Sequence, residues 1–256
     1  MAQKLIDIVI VSYYRKEFTR ECIDAIKGYT TTPHRIIVVD NDSDNWTQRE
    51  LLQMKMVGKI DILLLLDKNY GLEPAKNFGL QFVESDWYID SDNDILVPPS
   101  ASDGDWLERL LRLKDKHPSF LAIACPPQVF IGADKAEMFK DAPEVVERAF
   151  VGGSMRLMKT ADVRNVGGWR QNPKDMNEAN RGEEHYICGK LRKLSYNEGF
   201  AKVGYARDIE VFHMFGDDSE WGYGKTEHYH RDQWPRPTDK MFITKEKWYE
   251  KYCHRS

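Results

Sequence analysis

Long apolar runs are missing from this 256-residue chain, and that absence narrows its class first. Runs such as Ile62 to Leu66 are strand-sized and far short of the ~20 residues that span a bilayer. No signal-peptide core follows Met1-Ala2-Gln3-Lys4, which leads straight into a strand pattern, so a cytoplasmic location is expected. Cysteine is scarce: Cys22, Cys125, Cys188 and Cys253 stand apart without CxxC spacing, which argues for reduced thiols and against a zinc site or disulfide framework. Neither sign of charge dominates; a net charge of -4 disfavours a general nucleic-acid coat but leaves room for a local basic groove. A Gly-rich phosphate loop is lacking too. Gly224-Lys225-Thr226 ends like one, but Ser219 stands where the earlier glycine belongs. His228-Tyr229-His230 could touch a metal but reads as solvated.

What is present is ordinary globular material, 41% apolar, enough for one large domain or two half-domains sharing a core. Ile6 to Ser12 is a β-branched run suited to a strand buried on both faces. From Glu17 to Tyr29, Phe18, Cys22, Ile23 and Ile26 fall on one helical stripe. Strands follow at Arg35 to Val39 and Ile60 to Leu66, then a helix with Pro74 in its first turn running to about Phe82, then a strand at Trp87. In the second half the pattern predicts a helix over Trp106 to Leu113 and strands at Phe120 to Cys125, Phe150 to Met158 and Ala206 to His213. Residues 132–149 read as a polar excursion, and Gly182 opens a further helix. Alternating strands and helices imply a parallel, doubly wound α/β sheet, whose ligands bind beyond the carboxyl ends of the strands.

Asp90-Ser91-Asp92-Asn93-Asp94 sits at one of those ends. Carboxylates two apart on an extended chain point to one side and repel unless a cation lies between them. A calcium loop of the EF-hand type would need Gly and Glu where Ile95 and Ala101 stand, so it is rejected. Two readings remain from the residues: an acidic surface turn, or a strand-end pair holding Mg²⁺ or Mn²⁺ against a diphosphate. The first turn at Glu183-Glu184 likewise has a plain reading, since anions favour helix N-termini.

Seven stretches in order decide between these readings. Ile8 to Arg15, Val38 to Ser43, Asn69 to Gly79, Asp92 to Asp94, Val151 to Met155, Val166 to Trp169 and Gly182 to Glu184 together resemble the signatures of family 2-like, GT-A-fold glycosyltransferases. The resemblance covers roughly residues 5 to 215. It implies a Rossmann-like, mostly parallel sheet flanked by helices, with residues 1–98 as a nucleotide-sugar half, 99–213 as an acceptor half, and 214–256 as a lid or strap. It implies that Ser12, Tyr13, Tyr14, Arg15, Asp40 and Asn41 border the nucleotide, with Asp40 accepting from the base. Asn69, Gly71, Lys76 and Asn77, with Asp92 and Asn93, would line the nucleotide and diphosphate. Asp92, Asp94 and His213 would hold Mn²⁺ or Mg²⁺, although the polar Asp90 and Ser91 leave a frame of Asp90 and Asp92 open. Glu183 or Glu184 would be the general base; Glu184 stands where the family usually carries Asp.

The expected activity is transfer of a sugar, with inversion, from a nucleotide-diphosphate donor (a UDP-sugar foremost) to the hydroxyl of a saccharide or other acceptor, modified nucleic acid included. A nucleotidyltransferase and a non-catalytic carbohydrate-binding module are the rival readings; the first would carry a basic Gly-rich loop where Ser12-Tyr13-Tyr14-Arg15 stands. Phe215 to Gly224, with Trp221, has the glycine and aromatic content of a closing loop, while Trp234, Phe242, Trp248 and Tyr249 suit a strap across the core.

Overall fold

All seven residues of Ile6–Ser12 are buried, as a β-branched run covered on both faces requires, and this strand, β1, is the axis of the molecule. The computed structural model describes residues 5–128, 135–171, 182–196, 199–214 and 245–253. After β1 come α1 (Lys16–Tyr29), β2 (His34–Asp40), α2 (Asn45–Met56), β3 (Ile62–Leu65), α3 (Leu72–Leu80), β4 (Trp87–Asp92) and β5 (Ile95–Leu96). The second half runs through α4 (Trp106–Lys116), β6 (Phe120–Ala124), α5 (Lys135–Phe139), β7 (Val145–Glu147), β8 (Arg156–Lys159) and α6 (Thr160–Asn165). It ends with α7 (Glu183–Leu191), the hairpin of β9 (Ser195–Tyr196) and β10 (Gly199–Phe200), then β11 (Lys202–Ala206), β12 (Phe212–His213) and α8 (Lys245–Cys253).

The main sheet has the order β3-β2-β1-β4-β8-β6-β11-β7. Its first four strands are parallel, as the alternating pattern predicts. Beyond them the sheet is mixed: β8 runs antiparallel to both β4 and β6, and β7 antiparallel to β11. Hydrophobic periodicity does not encode strand direction, so the sheet is mostly parallel, as expected, without the sequence showing which strands reverse. On one face, Ile6, Ile8 and Ile10 pack with Phe18, Cys22 and Ile23 of α1, Leu51 and Met54 of α2, Trp106 and Leu110 of α4, and Trp248 of α8. On the other, Val9 and Tyr88 pack with Leu80 of α3, Val163 of α6 and Ile187 and Leu191 of α7. A Cβ on Gly79 would lie 2.4 Å from Val9 Cγ1, so glycine lets α3 lie directly on β1.

Several element boundaries differ from the sequence expectation. The helix α2 was not foreseen: it buries only Thr47, Leu51 and Met54, too thin a stripe to read, and its start is fixed by Asp44 accepting from the Thr47 N–H at 2.8 Å. The supposed excursion at 132–149 contains α5 and β7. Of the expected 150–158 strand only the last three residues join the sheet, in β8, and of the strand expected at 206–213 Ala206 ends β11 while only Phe212 and His213 pair again, as β12. Of the C-terminal stretch, Trp221, Trp234 and Phe242 lie outside the described residues, as do 224–226 and 228–230. Trp248 is fully buried, its ring 5.7 Å from Phe212, with Nε1 donating to Glu210 at 2.7 Å.

Candidate active site

Register brings the site together. Ser12 is paired with Asp40 across β1 and β2, and Val11 with Asp92 across β1 and β4, so three strand ends deliver polar residues to one edge of the sheet. Asp40 is fully buried there. Its Oδ2 accepts from the Ser43 N–H at 3.1 Å and Gln48 Nε2 at 3.2 Å, while Oδ1 is buried with no hydrogen-bond partner among the described residues. Burial raises the pKa of this carboxyl.

Around Asp40 the loops are tied to one another. Tyr14 donates its N–H to Ser43 Oγ at 2.7 Å, and Tyr14 and Arg15 both adopt left-handed backbone, φ 53° and 51°. Tyr13 and Tyr14 meet edge to face at 4.7 Å. Ser12 Oγ lies 3.1 Å from Thr19 Oγ1, which also accepts from Asn93 Nδ2 at 2.8 Å. Asn41 donates to Asn69 Oδ1 and accepts from the Tyr70 N–H, both at 2.9 Å; Asn69 Oδ1 also takes the Gly71 N–H at 2.8 Å. Gly71 has φ 89°, a conformation glycine adopts without Cβ strain. Asn77 is turned away from these loops: both ends of its amide hold the backbone of Trp169, at 2.9 Å each.

The aspartates divide by environment. Asp90 is 1% exposed and bound to Lys76 at 3.0 Å and Arg156 at 2.6 Å, so it belongs to a buried ion network. Asp92 has a partly open carboxylate, 35% exposed, 3.7 Å from Lys76 Nζ and backed by Gly153. Partial burial, then the neighbouring carboxylates of Asp94, Glu183 and Asp90, raise its pKa against the pull of Lys76. Asp94 is buried, with Oδ2 3.0 Å from Arg15 and Oδ1 3.1 Å from His213 Nε2. Burial opposes its ionisation, but His213 and then Arg15 outweigh it and lower the pKa.

His213 arrives by a long-range ladder. β12 pairs antiparallel with β5, placing His213 opposite Ile95, and Met214 donates its N–H to the Asp94 carbonyl at 2.9 Å. Gln128 clamps the His213 backbone, giving Nε2 to its carbonyl at 2.9 Å and taking its N–H on Oε1 at 2.7 Å.

The donor set fits a hard divalent cation. Asp92 offers a partly open carboxylate, Asp94 Oδ1 is buried without a well-aligned hydrogen bond among the described residues, and an imidazole nitrogen stands beside it. Among the described residues no group of three or more His, Cys, Asp or Glu already converges on one metal-sized point.

The first turn of α7 completes the edge. Glu183 Oε1 lies 3.0 Å from Lys76 and Oε2 3.2 Å from Arg156; burial raises its pKa, yet Lys76 and Arg156 together bring it below the usual value. Glu184 makes no hydrogen bond or ion pair with the described residues and lies back over Gly182. Arg156 was not anticipated from sequence. Its signal was a lone charge inside Met155-Arg156-Leu157-Met158, an otherwise apolar and fully buried run.

A mixed, mostly parallel sheet with helices on both faces and aspartates at its strand ends is the GT-A arrangement. Residues 7–169 match the family model described as glycosyl transferase family 2, and the chain belongs to that family. Among solved structures it is similar to a mannosyltransferase from Pyrobaculum calidifontis in complex with GDP-Man and Mn²⁺ (17% identity, TM-score 0.62, 84% of this chain and 58% of that one). It is also similar to S. aureus TarS residues 1–349 with UDP-GlcNAc (14%, 0.60, 81% and 57%) and to GalNAc-T7 with UDP, GalNAc and Mn²⁺ (11%, 0.61, 83% and 44%). The chain thus spans about half the length of these structures, and at such identities the likeness is one of fold. No curated protein sequence matches the chain. No described helix is long and apolar enough to cross a membrane.

Proposed function

We propose that the chain is an inverting, divalent-metal-dependent glycosyltransferase that moves a sugar from a nucleoside-diphosphate donor, a UDP-sugar foremost, to an acceptor hydroxyl. The observation that carries this reading is the company kept at one sheet edge: Asp40 with a carboxylate oxygen lacking a partner, the Asp92/Asp94 pair, and α7 opening against them with Glu183 and Glu184. Mn²⁺ with GDP-Man, and UDP, in the similar structures supports it.

Asp40 Oδ1 would accept an N–H from the base, a reading supported by its burial without a partner among the described residues. Ser12, Tyr13, Tyr14, Arg15, Asn41, Asn69 and Gly71 shape the surrounding loops. Asp92 and Asp94, with His213, would hold the cation. Bound Mn²⁺ or Mg²⁺ supplies Lewis-acid neutralisation of the departing diphosphate. Glu184 is the general base, because Glu183 is committed to Lys76 and Arg156. It takes the acceptor's hydroxyl proton while that oxygen bonds to the anomeric carbon and the bond from that carbon to the diphosphate oxygen breaks. One displacement from the opposite side inverts the carbon. The acceptor is a saccharide or another hydroxyl-bearing molecule.

The test is release of nucleoside diphosphate from a panel of UDP- and GDP-sugars, with and without a cell extract as acceptor. Release stops in EDTA and returns with Mn²⁺ or Mg²⁺; full release in chelator would reject the metal assignment.

A further inference from the structure

The residues beneath the site form a closed set of charges. Lys76 Nζ and the Arg156 guanidinium are fully buried, and between them they bind Asp90 (3.0 and 2.6 Å) and Glu183 (3.0 and 3.2 Å). Two cations and two carboxylates cancel, so the set needs no outside charge. Arg156 is also fixed from behind, its Nη1 donating to the Val151 carbonyl at 2.8 Å. Trp169 closes the top. Its ring centre stands 4.6 Å from Lys76 Nζ and 4.8 Å from the Arg156 guanidinium carbon, so one indole covers both cations. Asn77 in turn grips the Trp169 backbone from α3, the helix that carries Lys76.

Such a cage leaves Lys76 poorly placed to meet a diphosphate. The resemblance suggested that role, but the ammonium is 0% exposed and already bound to carboxylates. What the cage does reach is α7. Glu183 is the first residue of that helix, and through it α3, β4 and β8 hold the helix end against the sheet. Glu184 follows directly. Lys76 also approaches Asp92 at 3.7 Å, so one ammonium links the helix carrying the base to the strand carrying the metal aspartates.

We infer that Lys76, Arg156 and Trp169 are positioning residues: they clamp Glu183 so that the first turn of α7 presents Glu184 at a fixed place relative to Asp92. This inference rests on the proposed function, with Glu184 as the group it serves. Misplacing a catalytic group by an ångström costs up to about 10²-fold in rate, which sets the scale of the expected effect.

The experiment compares Glu183→Gln, Lys76→Met, Arg156→Lys and Glu184→Gln in acceptor-free hydrolysis of the UDP- and GDP-sugar panel. UDP and GDP affinity with Mn²⁺ is measured by calorimetry, and amide hydrogen exchange over residues 184–188 is followed. Glu183→Gln and Lys76→Met are expected to lower kcat by up to about 10²-fold with donor KM and nucleotide affinity unchanged, and to speed exchange in the first turn of α7. Arg156→Lys, which keeps the charge, should retain more activity than Lys76→Met. Where Lys76→Met does not fold, Glu183→Gln decides, since it keeps shape and hydrogen-bonding capacity. Native kcat together with native exchange in Glu183→Gln overturns the clamp, as does a loss of nucleotide affinity in Lys76→Met, which would return Lys76 to the diphosphate. Glu184→Gln separates the two readings: if it alone keeps full turnover, the base assignment fails rather than the clamp.

Discussion

Asp105 and Asp94 are both buried carboxylates, and their surroundings assign them different roles. Asp105 caps α4 by accepting the Leu107 and Glu108 N–H groups at 2.9 Å, and it also takes the N–H and hydroxyl of both Thr31 and Thr32, at 2.6–3.0 Å. With every lone pair engaged, it ties α4 to the loop before β2. Asp105→Ala removes the cap and orphans buried donors, for an expected loss of about 2–4 kcal/mol in urea unfolding. Burial opposes ionisation of Asp105, but the N–H groups of Glu108 and Thr32 and the threonine hydroxyls outweigh it, so its folded pKa is depressed. Its contribution is therefore complete above the unfolded carboxyl value near pH ~3.9 and is lost as pH falls through the lower folded value. Urea midpoints taken downward from pH 5 should fall below about pH 4, and Asp105→Asn should flatten that fall. Asp94 has no comparable set of donors. Asp94→Asn keeps its shape and should abolish Mn²⁺-dependent UDP or GDP binding in calorimetry while shifting the urea midpoint less than Asp105→Ala; intact binding would remove Asp94 from the metal site.

At the scale of elements, the 151–155 loop matters as much as the strands beside it. Gly153 accepts the Asp92 N–H on its carbonyl at 2.9 Å, and a Cβ there would fall 2.7–2.9 Å from all three carboxylate atoms of Asp92. Gly153→Ala must therefore turn the Asp92 side chain aside, while the sheet, which ends before this loop, is left as it was. The expected result is about 10–100-fold weaker Mn²⁺-dependent nucleotide binding with an unchanged thermal melt. Unaltered affinity would mean that the Asp92 orientation seen here is not the one that binds. The long-range antiparallel pairing of β12 with β5 plays the matching part for His213, whose backbone is held by Gln128.

For the whole molecule, the two faces of the sheet have separate duties. The face under α3, α6 and α7 carries Trp169 and the N-terminal turn of α7, with Glu183 and Glu184. The opposite face, under α1, α2 and α4, is finished by Trp248 of α8, which packs with Tyr249 and Tyr252 and joins residues from both halves of the chain. Tyr249 lies 5.7 Å from Tyr29 of α1, and Lys245 bonds Glu21 at 2.7 Å. Trp248→Ala should cost about 3–5 kcal/mol in urea unfolding, the range for emptying a large aromatic site, with nucleotide affinity kept when measured well below the melt. A loss of affinity larger than the loss of folded protein would show that α8 also shapes the nucleotide loops.

Sequence alone determined the strand core and the places where chemistry gathers. β-branched runs mark β1 and β2 because a strand buried on both faces needs apolar side chains at every position. Asp40 and Asp90 are legible as strand-end carboxylates because apolar runs stop at them, and the ordered motifs supplied the family and with it the expectation for Asp92 and Asp94. Only the tertiary structure decided how those groups divide. Asp90, Asp92 and Asp94 look alike along the chain, yet one is caged by Lys76 and Arg156, one is partly open, and one meets Arg15 and His213. Glu183 and Glu184 are equivalent as letters and differ because Lys76, 107 positions away, reaches only the first. Strand direction beyond β4 and the thinly apolar α2 were illegible for a related reason. Local periodicity reports which side chains are buried, whereas the charge a buried group faces and the neighbour a strand pairs with come from residues far away in the chain.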